Sequence, residues 1–522
     1  MKKLVFAAVL AFVSALRAGV AEPVKTDAGL LSGTSAATSG VRVFKGIPFA
    51  APPTGELRWR APQPVAKWTG VRKADKFGDV CVQPKGVGRR NVSVDLPDSP
   101  AASEDCLYLN VWTAARSASE RRPVMFWIFG GAYTEGAGSS PHNDGEALAL
   151  QGVVVVTFNY RLGPFGFFSH PELTKESGHN ASGNQALMDT IAALKWVQTN
   201  IAAFGGDPRN VTIFGESAGA AIAAGLVASP ETSGLFRRAI SESGAWMGLG
   251  MAAMRTRRQA EQPTGRRGAA PPVLMPLAQL RAKSTEEISQ SLVGAGMIVD
   301  GWIIPEDASL TFAQGRQQPV DVLVGSNKDE GTFAGNTTAN VWTTRVRQRW
   351  DDLADDYLKS YPAGSDEEAT RSSRMAFRDE MAWHMRLYAS LQAKRGNRAY
   401  WYFFTHEPPY APDARNLQAT HTVEIPYVFN NLRAPRVFPD ASSPELASAS
   451  ASERALADRV SSYWVNFARA GDPNGKGLPR WPACSDKSAA PMIIGEIKET
   501  PDSQRLAIYD KLYEKILGRL KE

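Results

Sequence analysis

Gly215-Glu216-Ser217-Ala218-Gly219 sets one hydroxyl between two glycines, after the apolar run Val211–Phe214 and before the Ala-rich stretch Ala218–Val227. A bare G-x-S-x-G pattern is weak. Between a strand and a helix it describes a strained turn that projects a serine Oγ from the end of the strand. Residues two before and two after the serine must then be small, because side chains there would collide with the neighbouring strand and helix. Gly215 and Gly219 meet that demand. A helix opening at Ala218 would aim its dipole and free N–H groups at negative charge developing beside Ser217. The chemistry implied is nucleophilic acyl transfer. Ser243, in Ser241-Glu242-Ser243-Gly244, lacks the flanking glycines and is expected to pack or hydrogen-bond beside the site.

Acyl transfer passes through a tetrahedral oxyanion, which needs donors placed in advance. Phe129-Gly130-Gly131-Ala132-Tyr133 follows an apolar run and is small enough for its backbone to approach a substrate oxygen. The N–H groups of Gly131, Ala132 and Ala218 are the candidate donors.

These loops need a scaffold. Val124–Phe129, Val153–Phe158, Val211–Phe214 and Val320–Val324 are short apolar runs rich in β-branched and aromatic residues. Such runs suit strands buried on both faces of a parallel sheet. Helical stretches at Asn184–Asn200 and Ala218–Val227 lie between them, which predicts a doubly wound α/β architecture. The chain has 522 residues, 43% of them hydrophobic, so a large core needs no metal or cysteine staple. The first 21 residues carry Lys2, Lys3 and Arg17 and no acid, so the net charge of +6 falls to +3 beyond them. That balance gives no electrostatic case for nucleic-acid binding. The 6 histidines are scattered without metal-ligand spacing. Arg255–Pro272, basic and broken by Pro and Gly, reads as a solvated excursion.

Several stretches together resemble the type-B carboxylesterase and cholinesterase family of α/β-hydrolases. They are Phe44-Lys-Gly-Ile-Pro-Phe49 with Leu57-Arg-Trp59, Glu104-Asp-Cys-Leu-Tyr-Leu-Asn-Val111, Asn159-Tyr-Arg-Leu-Gly163 and Phe204-Gly-Gly-Asp-Pro208. The serine elbow, Gly471-Asp-Pro-Asn474 and Trp481-Pro482 carry the likeness through roughly residues 25–515. The resemblance implies an α/β-hydrolase fold, a central mostly parallel sheet flanked by helices, as a single domain over residues 22–522. It implies a disulfide between Cys81 and Cys106, leaving Cys484 as a small buried hydrophobe. It favours Glu330, in Asp329-Glu330-Gly331, as the triad acid, although Asp329 is a rival on chemistry alone. His421, in His421-Thr-Val-Glu-Ile425, takes the place of the family's catalytic histidine, while His384 and His406 read as structural.

The expected reaction is hydrolysis of a small-molecule carboxylic ester through an acyl-enzyme on Ser217. His421 would serve as base and then acid, with Glu330 orienting it. No cofactor or metal is required. The competing readings are an inactive cholinesterase-like binding protein, and an amidase or thioesterase on the same site. Cholinesterases place a Trp in the disulfide loop; residues 82–105 contain no aromatic, with Leu96 near that place, so choline esters are not the expected substrate. Ala132 stands where cholinesterases have a third glycine, and its methyl is expected to crowd bulky groups. Trp246, Met247, Met251 and Met254 are a candidate acyl-pocket wall.

The N-terminus reads as an address. Lys2 and Lys3 precede an apolar stretch from Leu4 to Leu16, and Gly19-Val20-Ala21 offers a cleavage site, so residues 1–21 are expected to be a signal peptide. The protein is expected to be exported, periplasmic or secreted, with no membrane span after cleavage.

Overall fold

The computed structural model describes residues 20–36, 39–83, 100–247, 254–262, 274–294, 296–410, 416–432, 449–485, 490–496 and 499–519. Nearly all of the expected leader, Leu96, Met251 and most of the basic excursion lie outside these residues.

A ten-stranded sheet runs through the molecule. Along the chain its strands are β1 (Thr34–Ser35), β2 (Arg42–Pro48), β3 (Tyr108–Thr113), β4 (Arg122–Ile128) and β5 (Val154–Phe158). β6 (Gly206–Glu216), β7 (Arg238–Glu242), β8 (Asp321–Asn327), β9 (Ala399–Phe404) and β10 (Met492–Ile494) complete it. Across the sheet the order is β10-β9-β8-β7-β6-β4-β5-β3-β2-β1. Pairing is parallel from β10 through β5 and antiparallel at the other edge, where β3, β2 and β1 join.

The central strands are apolar on both faces because helices cover both sides. Val124 to Ile128 and Val154 to Phe158 are fully or almost fully buried. Helix α1 (Gln185–Asn200) buries most of its surface against this layer, and α2 (Ala218–Ala228) is buried along its whole length. Two long amphipathic helices follow, α3 (Asp366–Lys394) and α4 (Ala451–Ala470). Each begins at a serine whose hydroxyl accepts an N–H of the first turn: Ser365 from Glu368, Ser450 from Glu453. Gly471, at φ 70°, ends α4 in the left-handed conformation that glycine adopts without penalty.

The order of the strands fixes where a ligand can bind. The chain steps from β4 to β5 on one side, then crosses to β6 on the other. The loops leaving the carboxyl ends of β4 and β6 therefore diverge and leave a crevice. Gly130 follows β4 and Ser217 follows β6. The expected strands Val211–Phe214 and Val320–Val324 are longer in the structure, the first reaching Glu216 and the second Asn327. Those extra residues bring strand rigidity up to the edge of the crevice.

Candidate active site

Ser217 stands between the last residue of β6 and the first of α2, at φ 53° and ψ −122°. That backbone is costly for any residue with a Cβ and persists only when its surroundings determine it. The glycines around it are sterically required. A Cβ on Gly219 would lie 2.0 Å from the Ile128 carbonyl oxygen, and one on Gly215 2.5 Å from the same atom. The Ser217 N–H donates to the Glu242 carbonyl (2.9 Å), tying the turn to β7.

Opposite the elbow, Gly131, Ala132 and Tyr133 all have positive φ (107°, 52° and 64°). This run turns the loop after β4 so that Gly130, Gly131 and Ala132 line the same pocket as Ser217 and His421. Among the described residues the N–H groups of Gly131 and Ala132 donate to no backbone carbonyl. The base of the loop is held by Tyr160, whose hydroxyl donates to the Phe129 carbonyl at 2.6 Å and whose ring stacks on Phe129 at 4.3 Å. Ala218 occupies the first helical position after the serine, where its N–H lies among the unpaired donors of the α2 terminus.

Glu330 and His421 arrive on separate loops and meet. The His421 Nδ1 lies 2.6 Å from Glu330 Oε2, and the carboxylate is fully buried. Its other oxygen accepts from the Ser243 hydroxyl (2.5 Å) and the Asn327 N–H (2.8 Å). Asp329 does not face the imidazole; its carboxylate meets Lys328 and the Ala419 N–H. The far nitrogen of His421, Nε2, lies 3.1 Å from Glu216 Oε1. The ring of Phe333 lies against the imidazole, with centroids 5.5 Å apart. The pocket encloses about 310 Å³, enough for a small ligand.

Three buried glutamates act on this histidine, Glu216, Glu330 and Glu424, and a fourth, Glu242, lies near Glu216 and Glu424. Burial pushes Glu216 well above the usual carboxylate range; His421 pulls it back, while Glu424 and Glu330 push it further. Glu242 is raised in the same way, by burial and then Glu424, although the Trp464 Nε1–H donates to it at 2.8 Å. Glu424 is raised to about 7 by burial and by Glu330, against a hydrogen bond from Asn327 Nδ2. For His421, burial pulls down, but the charges of Glu216 and Glu330 outweigh it and lift the imidazole to about 10. An unperturbed imidazole titrates near ~6.5, so the site departs strongly from the free side chain.

The model of the carboxylesterase family matches residues 21–509. The chain belongs to the carboxylesterase family. It is 36% identical over 478 residues to a fumonisin B1 esterase of Sphingopyxis macrogoltabida, covering 88% of this chain and 83% of that one. It is 34% identical over 510 residues to a para-nitrobenzyl esterase of Bacillus subtilis (strain 168), covering 92% and 97%. A solved PNB esterase structure superposes with a TM-score of 0.77 at 32% identity, covering 93% of this chain and 99% of that one. The carboxylesterase thus has the α/β-hydrolase fold and is a carboxylic ester hydrolase.

The disulfide between Cys81 and Cys106 is present in this carboxylesterase. Cys484 is half-buried rather than buried, and burial pushes its thiol up to about 11. Among the described residues of the expected acyl-pocket wall, none lines the pocket that Ser217 lines. Met247 is buried in the core, and Trp246 and Met254 pack against it. His384, buried on α3, accepts the Met247 N–H at 3.1 Å, and His406 lies between Glu453 and Glu496; neither lines the pocket. Ser243 takes the supporting place expected of it. The reading of the sequence missed Glu216 and Glu424. Glu216 is the variable residue of the elbow, and a charge there, at the end of a buried strand, was the available signal. Glu424 ends the turn that His421 opens, just before the short helix Ile425–Val428, and its charge acts on the imidazole.

Proposed function

We propose that this protein is an exported serine esterase that hydrolyses uncharged carboxylic esters through an acyl-enzyme on Ser217. The observation that carries the reading is the 2.6 Å contact of Glu330 with His421 Nδ1, in a pocket that Ser217 and the Gly130–Ala132 loop also line. Ser217 Oγ attacks the ester carbonyl while His421, neutral at that moment, takes its proton. Glu330 fixes the tautomer with Nδ1 protonated and stabilises the imidazolium that forms. The oxyanion is received by the N–H groups of Gly131, Ala132 and Ala218, each worth roughly 3–4 kcal/mol of barrier. His421 returns its proton to the leaving alcohol, and water then repeats the sequence on the acyl-enzyme. The positive φ of Gly131 and Ala132 supports the oxyanion assignment, since it turns both residues toward the pocket.

Export rests on Lys2, Lys3 and the apolar run to Leu16, and the Cys81–Cys106 disulfide fits an oxidising compartment. Cell fractionation with N-terminal sequencing tests this; protein confined to the cytoplasm with Met1 intact would overturn it.

The activity test compares hydrolysis of p-nitrophenyl acetate, butyrate and octanoate by wild type and Ser217→Ala. Loss of kcat by ~10⁴-fold or more, with unchanged thermal stability, is expected. Undiminished turnover by the variant would remove Ser217 from the mechanism. The chain-length profile of the wild type would set the size of the acyl site.

A further inference from the structure

Glu330 and His421 lie 91 residues apart in sequence and on different loops, yet their contact is only 2.6 Å. Something must hold the two loops in register. The bonds that join them converge on a short stretch. The Asp329 N–H donates to the Ala419 carbonyl at 2.9 Å, and the Ala419 N–H donates to Asp329 Oδ2 at 3.1 Å. One residue of the acid loop therefore takes both backbone groups of a residue two positions before the histidine. The Thr332 hydroxyl donates to the Leu417 carbonyl at 2.7 Å and shares a bond with Thr420 at 2.9 Å. Asn327 Nδ2 donates to the Thr420 carbonyl at 2.8 Å.

The geometry explains why a side chain does part of this work. The Asp329 carbonyl is engaged in its own turn, accepting from the Thr332 N–H at 3.0 Å. Ala419 is fully buried, so its N–H needs an acceptor. The Asp329 carboxylate supplies it, and the Lys328 ammonium, 2.9 Å from the same oxygen and 3.3 Å from Glu407, fixes where that oxygen points. Lys328 is itself held by its N–H to the Phe404 carbonyl at the end of β9.

We propose that Asp329 is a positioning residue that sets the histidine loop in register with the acid loop, and so holds His421 against Glu330. This rests on the triad reading given above. Displacing a reacting group by about 1 Å costs on the order of 10²-fold in rate. Asp329→Ala is therefore expected to lower kcat by ~30–100-fold while KM stays within about threefold. Asp329→Asn keeps an oxygen for the Ala419 N–H and should restore kcat to within about fivefold of wild type. A role limited to folding would not give this split or this rescue.

The test measures kcat and KM for p-nitrophenyl butyrate on wild type, Asp329→Ala, Asp329→Asn and Glu330→Gln, with melting curves for each. Wild-type kcat in Asp329→Ala, or an Asn variant no better than the Ala variant, overturns the proposal provided Glu330→Gln is crippled. If Glu330→Gln also turns over normally, the triad reading itself has failed. Should Asp329→Ala not fold, Asp329→Ser, whose hydroxyl is too short to reach Ala419, carries the same expectation, and wild-type kcat in it overturns the proposal equally.

Discussion

Replacing Glu216 by Gln removes a charge 3.1 Å from His421 Nε2 while keeping the size of the side chain. Burial on its own pushes the His421 imidazole down; Glu216, then Glu330 and Glu424, overcome it and carry the group up to about 10. A general base must be neutral to accept the serine proton. Activity therefore rises as pH climbs through the His421 titration and is lost below it. At an effective dielectric of ~20, a unit charge at the Glu216 distance is worth roughly 5 kcal/mol, or about 4 pH units. Two features lower that ceiling. Burial holds Glu216 toward its neutral acid, so its charge is not present at every pH, and the open pocket admits water. The acid limb of kcat/KM is thus expected to move down by about 1–2 pH units in Glu216→Gln. The assay follows p-nitrophenyl butyrate from roughly pH 5 to 9 at fixed ionic strength. Wild type should still be climbing at the alkaline end of that range, where the variant is levelling off. Coincident limbs would refute an electrostatic role for Glu216. A limb displaced upward would refute the sign of the reasoning.

Ser243→Ala removes the 2.5 Å hydrogen bond to Glu330 Oε1 and leaves that oxygen with the Asn327 N–H. A bond to a buried charge is worth about 1.5–3 kcal/mol, so a lower Tm and a kcat reduced about tenfold are expected, read by calorimetry and ester turnover. His406 lies 2.8 Å from Glu453 and 2.7 Å from Glu496; burial pulls it down, but those partners raise it overall. A raised histidine contributes stability that is complete below the unfolded value of ~6.5 and fades as pH rises through the folded one. Denaturant melts of His406→Gln should therefore show a deficit at pH ~6 that shrinks by pH ~9, and a deficit independent of pH would count against the pairing.

How much of this was legible in the sequence follows from the range of each interaction. The elbow was readable because its constraints are local: Gly215 and Gly219 lie within two residues of Ser217, and their need for smallness is set by the strand and helix they join. β4 and β5 were readable because strands buried on both faces need unbroken apolar runs. The end of β8 was not, since Asn327 is polar yet belongs to that strand, where it is paired with Phe404 of β9. Glu330 and His421 needed a family resemblance, because nothing local distinguishes Asp329 from Glu330. The two residues differ only in what lies across from them, Ala419 for one and His421 for the other. Glu216 and Glu424 were missed because a glutamate reads as a surface residue until the fold buries it. The acyl wall failed differently. Met247 is apolar as expected, but the chain after Ser243 turns it into the core and away from the pocket.

Ser217, Ala132, Tyr133, Ser243 and Thr422 all carry a positive φ without being glycine, and each lies in or beside the pocket. Such conformations cost about 1–3 kcal/mol apiece. They persist because their neighbours leave no alternative. Ser217 is tied to β7 through Glu242, and Ser243 donates its N–H to the Gly325 carbonyl of β8 at 2.8 Å. A Cβ on Gly244 would come within 1.9 Å of the Ser217 carbonyl oxygen, so the two strained turns are in contact. Ser217 and Ser243 are therefore braced by strand ends that are fully buried and parallel-paired. This gives the long sheet a purpose at the site beyond stability. The sheet supplies the rigidity that fixes Ser217 and Ser243 in conformations neither would hold alone, so this side of the pocket is set in advance.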